Sequence, residues 1–274
     1  MVSEHELDRF HEVELDGWRR LAAGYARQLA QLMSQAIEPL LDAAGFAAGS
    51  HVLDLCCGPG HASDAIHRRG SVPLGVDFAP EMIELARRTW PGLAFQVGDA
   101  ENLTEPDQSF DAAVMNFGLL HLARPEAALR HIARVLRPGG HFAFTVWATP
   151  ADSVGHRIML GALNAHGTID VGLPAGPPLF RFADPKECAA LLAGVGLTDM
   201  TFEKLQLRLE VPAPDGLFEA YTAGAVRIAI ILARQTPDAL GRIRGAVRAA
   251  CAEYESGGML AIPMTAVLVS GRKA

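Results

Sequence analysis

The stretch HVLDLCCGPGHASDAIHRRG, residues 51–70, sets an apolar strand-like run directly against a glycine-proline-glycine turn and then a segment able to form a helix. Neither Gly58 nor Gly60 projects a side chain, so the backbone of such a turn can approach a ligand closely. The same alternation continues downstream. Strands are expected at 51–56, 72–76, 93–97, 110–115 and 141–147, with helices between them at 61–69, 80–89 and 126–136. This spacing implies a doubly wound α/β sandwich, a parallel sheet covered by helices on both faces. Ligands of such sheets bind at the carboxyl ends of the strands, so the residues just after each strand carry the function.

Around this core the pattern changes. Residues 7–44 place Leu15, Trp18, Leu21, Ala22, Tyr25, Leu29, Leu32, Ile37, Leu40 and Leu41 at three- and four-residue intervals, the period of a helix, with Pro39 marking a start or kink. Beyond Trp147, glycine- and proline-rich loops surround a short helix at 157–165. A helix at 185–193, a strand at 201–211, a long helical stretch at 217–254 restarted by Pro237, and a last strand at 259–269 follow. The segments 150–183 and 212–257 read as insertions suited to covering a pocket.

With 274 residues, half of them hydrophobic, the chain can bury a substantial core. A formal net charge of -7 argues against nucleic acid as the main partner. The four cysteines, Cys56, Cys57, Cys188 and Cys251, form no C-x-x-C pair, so no metal site is expected, and reduced thiols fit a cytoplasmic protein. No secretory signal is expected in the acidic opening segment. The most apolar stretch, 223–233, is interrupted by Arg227 and is far shorter than the roughly 20 residues of a membrane span; it reads as a buried helix, with 228–232 a candidate dimer surface in a monomer or homodimer.

Three acids narrow the ligand. Asp54 sits inside the first apolar run, where an unpaired carboxylate is costly. Asp77 closes the second run, where it can accept from ribose hydroxyls. Asp99 closes the third, where it can receive an amino group. Three carboxylates at three successive strand ends serve a phosphate poorly, and Ser63 stands where the third glycine of a dinucleotide fingerprint belongs. The ligand so described has a ribose, an exocyclic amine and a positive charge.

Together, VLDLCCGPG, GVDFAPEMIELAR, VGDAENL and RVLRPGGHFAFTVW resemble the successive motifs of class I S-adenosylmethionine-dependent methyltransferases. The small-molecule branch that includes quinone-biosynthesis C-methyltransferases is the most similar, and WRRLAAGYARQ is similar to its helix that closes over the cofactor. The resemblance implies a Rossmann-like seven-stranded sheet in one integrated domain. A helical cap would span 1–48, the S-adenosylmethionine-binding core 49–150, and the remaining strands with lid insertions 151–274. It further implies roles. Asp54 through Gly60, with Cys56 and Gly58, would bind the methionyl portion, Asp54 acting on the ammonium through water. Asp77 would bind the ribose, with Phe78 and Met82 against the adenine or ribose. Asp99 would accept the adenine amino group, with Ala100 and Glu101 flanking the ring. Asn116 and Phe117 would sit near the methyl group, and Tyr25 would bond the carboxylate.

The activity implied is transfer of a methyl group to an oxygen, carbon or nitrogen of a small, largely apolar acceptor. His121, shortly after the fourth strand, is the candidate general base, the alternative being a histidine held in a structural hydrogen bond. His156 and His166, in the first insertion, are weaker candidates for the base, the alternative being loop residues, and His5 and His11 read as parts of a solvated face. Trp147, Phe180, Phe182, Phe218 and Tyr221 read as core residues or acceptor walls. Two rival functions remain at this stage: binding of the cofactor without methyl transfer, as a regulator or a non-methyl catalyst, and an NAD(P)-dependent oxidoreductase.

Overall fold

Ser3 and Glu6 cap the first helix reciprocally in the computed structural model, which describes residues 2–274. That helix, α1 (Glu4–Gln28), is followed by α2 (Ala30–Ser34) and α3 (Ile37–Ala44), so the expected helical preface is one long helix and two short ones. Pro39 lies in the first turn of α3, where its missing amide breaks no helical bond, and Gly45 ends the helix in the left-handed conformation.

The alternating region runs β1 (His51–Leu55), α4 (His61–Arg68), β2 (Val72–Asp77), α5 (Pro80–Thr89), β3 (Ala94–Val97), β4 (Phe110–Asn116), α6 (Pro125–Val135) and β5 (Leu136–Trp147). It continues through α7 (Val154–His166), α8 (Pro185–Ala193), β6 (Leu197–Pro212), α9 (Gly216–Gly224), α10 (Val226–Ala233), α11 (Pro237–Cys251), β7 (Glu255–Ser256) and β8 (Met259–Lys273). The sheet order is β3-β2-β1-β4-β5-β8-β6, with two-residue β7 hydrogen-bonded to β8. Strands β1 to β5 are parallel, as the alternation requires. The expectation of a parallel sheet fails at β8, which inserts between β5 and β6 and runs antiparallel to both. Helices α9 to α11 connect β6 to β8, and β8 returns along β6 in the opposite direction, with β7 and β8 forming a short hairpin beside it.

Side chains alternate across the sheet with the two-residue period of a strand. Val52, Ala112 and Val114 pack under α3 and α4 against Leu40, Leu41 and Ile66, while Leu53, Leu55, Ala113 and Met115 face the larger core with Leu129 and Ile132 of α6. Asp54 shares the Val52 face and so points toward α4.

The long helical stretch expected at 217–254 is three helices. Ala225 is extended, α9 and α10 meet at 106°, and Pro237 begins α11 behind a Thr236 cap. Val226, Ile228, Ile231 and Leu232 of α10 are buried within the molecule, which corrects the reading of 228–232 as a dimer surface. Among the described residues no single helix is long and apolar enough to cross a membrane. Helices α9 and α10 pack on α1, and α1 in turn reaches α5, so the first helix lies across the carboxyl ends of the parallel strands.

Candidate active site

Sheet order reverses between β1 and β4, and a cavity opens there at the carboxyl ends of the strands. Asp54, Cys56 and Gly58 reach it from β1 and its turn, Asp77, Phe78 and Met82 from β2 and α5, and Asp99 and Ala100 from the end of β3. Asn116, Phe117 and His121 come from the end of β4, and Tyr25 and Trp18 descend from α1. Gly60 and Glu101 stand apart from this lining. At Gly60 (φ +84) a Cβ would fall 2.7 Å from Phe95 Cζ, so this glycine is required by the packing of the turn against Phe95 and Trp90. Glu101 turns away to accept from the amides of Ala123, at 2.6 Å, and Arg124, at 3.0 Å, bracing the segment that follows His121.

The acids are held in different ways. Asp54 is 1% exposed; its Oδ2 accepts from the Ser63 hydroxyl at 2.6 Å and its Oδ1 has no partner. Burial pushes its carboxyl up to about 7, against the Ser63 hydrogen bonds and with the help of neighbouring Asp77. Ser63 thus explains the missing third glycine: the hydroxyl of α4 ties that helix to β1 through the carboxylate. Asp77 accepts from the amides of Gly58 and Ala79, both at 2.9 Å, which fixes the glycine turn to the end of β2. Burial raises Asp77 to about 6 in spite of those two bonds. Asp99 accepts from the Glu101 amide at 2.8 Å and stays more open, with His11 Nε2 3.6 Å away. His11 is therefore half-buried over Asp99, Glu101 and the edge of Phe78, not part of a solvated face.

Backbone strain concentrates at the same place. Cys56 (φ 52) and Phe117 (φ 56) are non-glycine residues in the left-handed region at the ends of β1 and β4. Phe117 is held there by its amide, which donates to Thr145 Oγ1 at 3.0 Å. Thr145 donates onward to Asn116 Oδ1 at 2.7 Å, and Asn116 Nδ2 donates to the Met33 carbonyl at 3.1 Å. The Asn116 side chain consequently joins β4, β5 and α2, and its amide is already occupied within the protein.

A second cavity adjoins the first, walled by α1, β5, β8, α9 and α10. Trp18, Tyr25, Met33, Phe117 and His121 border both. Trp147 lines the second cavity and lies 4.3 Å, ring centre to ring centre, from Phe117. Tyr221 lines it as well, whereas Phe182 and Phe218 are core residues stacked under Arg181 and Arg244. Phe180 meets the edge of His156. His156 is not a loop residue: it sits on α7, 3% exposed, in the wall of the cavity. His166, expected in a loop, is the last residue of α7.

His121 Nδ1 lies 2.9 Å from Glu14 Oε2. Glu14 is completely buried on α1, with Oε1 unpaired, and the indole of Trp18 stands edge-on to the imidazole at 4.8 Å. Sequence reading passed over Glu14, although its spacing contains the signal: Phe10, Glu14 and Trp18 recur at four-residue intervals, which puts a carboxylate on the apolar stripe of α1.

Residues 52–140 match a family model described as a methyltransferase domain. Among curated relatives, the demethylmenaquinone methyltransferase of Paenarthrobacter aurescens is 30% identical over 175 residues, covering 61% of this chain and 69% of that protein. The enzyme of the same name from Beutenbergia cavernae is 39% identical over 110 residues, 40% of this chain and 46% of that one. The crystal structure of the YcgJ protein from Bacillus subtilis shares the fold, with a TM-score of 0.57 at 23% identity, over 87% of this chain and 98% of its own. These findings leave no place for the oxidoreductase alternative. The order of strands and the relatives agree: the chain belongs to the class I S-adenosylmethionine-dependent methyltransferases.

Proposed function

We propose that the first cavity binds S-adenosylmethionine, that the second admits a small, largely apolar acceptor, and that His121 removes the proton from the acceptor atom that is methylated. Oxygen or carbon fits a proton-removing base better than nitrogen. One observation carries this reading: His121 borders both cavities and is paired with a buried carboxylate.

The residues of the first cavity suit the cofactor. Asp54 Oδ1 is a buried carboxylate oxygen with no partner, which an ammonium group, directly or through water, would satisfy. Space lies open beside Gly58, where a Cβ would meet nothing within 4 Å and a ligand can rest against the backbone. Asp77 has spare lone pairs for the ribose hydroxyls, and Asp99, whose Oδ2 faces His11 at 3.6 Å, keeps lone pairs for the adenine amino group. When bound, S-adenosylmethionine supplies a methyl group on a positively charged sulfur.

The protein's part is alignment, water exclusion and a proton. Trp18, Tyr25, Met33 and Phe117 line both cavities with largely apolar surface, which favours exclusion of water and an in-line approach between them. His121 donates through Nδ1–H to Glu14, so Nε2 carries the lone pair that accepts the acceptor's proton. The Glu14 carboxylate then balances the imidazolium as its charge develops. The names of the curated relatives give demethylmenaquinone, a small molecule, as what those enzymes act on, which supports an acceptor of this class.

Isothermal titration with S-adenosylhomocysteine tests the cofactor claim. Binding to the wild type, with marked loss in Asp77→Ala, is expected; no binding by a folded protein defeats the reading.

A further inference from the structure

Two polar groups of the second cavity have no part in the steps above. His156 engages the protein only through Nδ1, 2.9 Å from Ser153 Oγ. Ser153 Oγ already accepts from the Thr265 amide at 3.4 Å, and the alternative acceptor for its own proton is the Met264 thioether, 4.0 Å away. The hydroxyl therefore donates to Nδ1, a far better acceptor than sulfur, and the imidazole proton resides on Nε2. Burial keeps this ring neutral, its pKa pushed down to about 3. The Nε2–H finds no acceptor among the described residues. Tyr221, on α9, stands beside it with ring centres 5.8 Å apart, and its buried hydroxyl is likewise without a partner. Most buried polar groups in proteins are paired, so the buried Tyr221 hydroxyl, with the Nε2–H of His156 beside it in the wall of an apolar cavity, calls for a ligand.

Their place in the cavity is equally informative. Phe117, at the junction with the cofactor site, touches Trp147, and Trp147 in turn lies 4.9 Å from the His156 ring. His156 stands two ring contacts beyond Phe117, and Tyr221 three. Arg227, which also lines this cavity, lies over the Phe10 ring at 5.0 Å, reaches the Pro174 carbonyl at 3.4 Å and is in the field of Glu14.

We propose that His156 Nε2–H and the Tyr221 hydroxyl form an oxygen-recognising end of the acceptor site, which selects flat, uncharged molecules bearing a carbonyl oxygen remote from the atom that is methylated. A carbonyl oxygen has two lone pairs, one for each donor. This inference rests on the second cavity being the acceptor site of a methyltransferase.

The probes are 6-acetyl-2-naphthol and 6-isopropenyl-2-naphthol, which have the same shape but differ by a carbonyl oxygen. Each is titrated into protein already saturated with S-adenosylhomocysteine. The ketone is expected to bind the wild type at least about ten-fold more tightly, the effect of one to two hydrogen bonds. Tyr221→Phe and His156→Leu should each weaken the ketone several-fold and leave the alkene within two-fold. Tyr221→Phe removes one oxygen and no packing volume, so it separates recognition from folding. Equal binding of the two probes by the wild type, binding of neither, or an undiminished preference in Tyr221→Phe overturns the proposal. Failure of S-adenosylhomocysteine to bind in the first step instead strikes the methyltransferase reading itself, so the two failures are told apart.

Discussion

Glu14 and His121 are 107 positions apart in the chain, yet Oε2 of one lies 2.9 Å from Nδ1 of the other, and the bond joins the capping helix α1 to the end of β4. The pairing makes the setting of His121 depend on α1: an α1 displaced from the sheet takes the carboxylate with it. The same helix carries Tyr25 and Trp18 into the cofactor cavity and is pinned at its start by Arg124, which bonds Glu4 at 2.8 Å. If α1 closes over the ligand and His121 is the base, closure and orientation of the base are one structural event.

If His121 is the base, His121→Gln should lower kcat by about 10²–10⁴, the usual worth of general base catalysis, with S-adenosylhomocysteine affinity within a few-fold of wild type. Glu14→Gln keeps the shape but withdraws the charge that balances the imidazolium, so a smaller fall in kcat is expected, on the order of ten-fold or more. Turnover near wild type in both variants returns His121 to a structural hydrogen bond.

The buried Asp54 predicts a pH dependence whose direction follows from its raised pKa. In the protein without ligand the carboxyl holds its proton up to about pH 7, where an unfolded aspartate is already ionised. Its contribution to stability is therefore complete below about pH 4 and is lost as the pH rises through 7. An ammonium group beside it reverses the preference and expels the proton. Affinity for S-adenosylhomocysteine should rise between pH 5.5 and 7, by at most about ten-fold per unit, and level off above. Titrations at pH 6 in buffers of different ionisation enthalpy count the protons released. Asp54→Asn is expected to bind more weakly and to release none; equal proton release in wild type and variant counts against the assignment.

His11 gives a trend of opposite sign. The facing Glu101 carboxylate raises its pKa, with Asp99 assisting, against desolvation and the Arg124 charge. A histidine of raised pKa contributes fully below about pH 6.5, and the contribution disappears as the pH rises through its higher folded value. The cap should hence grip less firmly in alkaline solution. Dissociation of S-adenosylhomocysteine, followed by stopped flow, is expected to quicken from pH 6 to pH 8.5 in the wild type and to change less in His11→Gln. A variant that retains the full wild-type trend removes His11 from the cap.

The parallel half of the fold was legible because each strand from β1 to β4 is a short apolar run closed by a glycine, acid or asparagine, and β1 begins at the expected residue. The reversal at β8 was not, since an apolar strand buried on both faces reads the same in either direction. Asp54, Asp77 and Asp99 could be placed from sequence because strand ends fix where a side chain emerges. Glu14, His11 and His156 could not, because they lie on helices whose facing is settled by packing against elements far away in the chain. Gly60 shows the converse: a residue in the middle of a binding motif serves Phe95 and Trp90, not the cavity.

That division within one turn yields a prediction of its own. Gly58 and Gly60 both have positive φ, so alanine at either costs about 1–2 kcal/mol through the left-handed conformation alone. At Gly60 the new methyl also meets Phe95 at 2.7 Å and Trp90 at 2.9 Å, an overpacking worth about 1–3 kcal/mol more. At Gly58 it meets nothing in the protein and instead enters the space proposed for the methionyl arm. Gly60→Ala should therefore lose more thermal stability, measured without ligand by calorimetry. Gly58→Ala should lose more affinity for S-adenosylhomocysteine, by at least about ten-fold, since a methyl group in a close backbone contact displaces the ligand outright. If instead Gly58→Ala binds as the wild type does, the ligand does not rest on this turn, and the assignment of Asp54 to its ammonium falls with it.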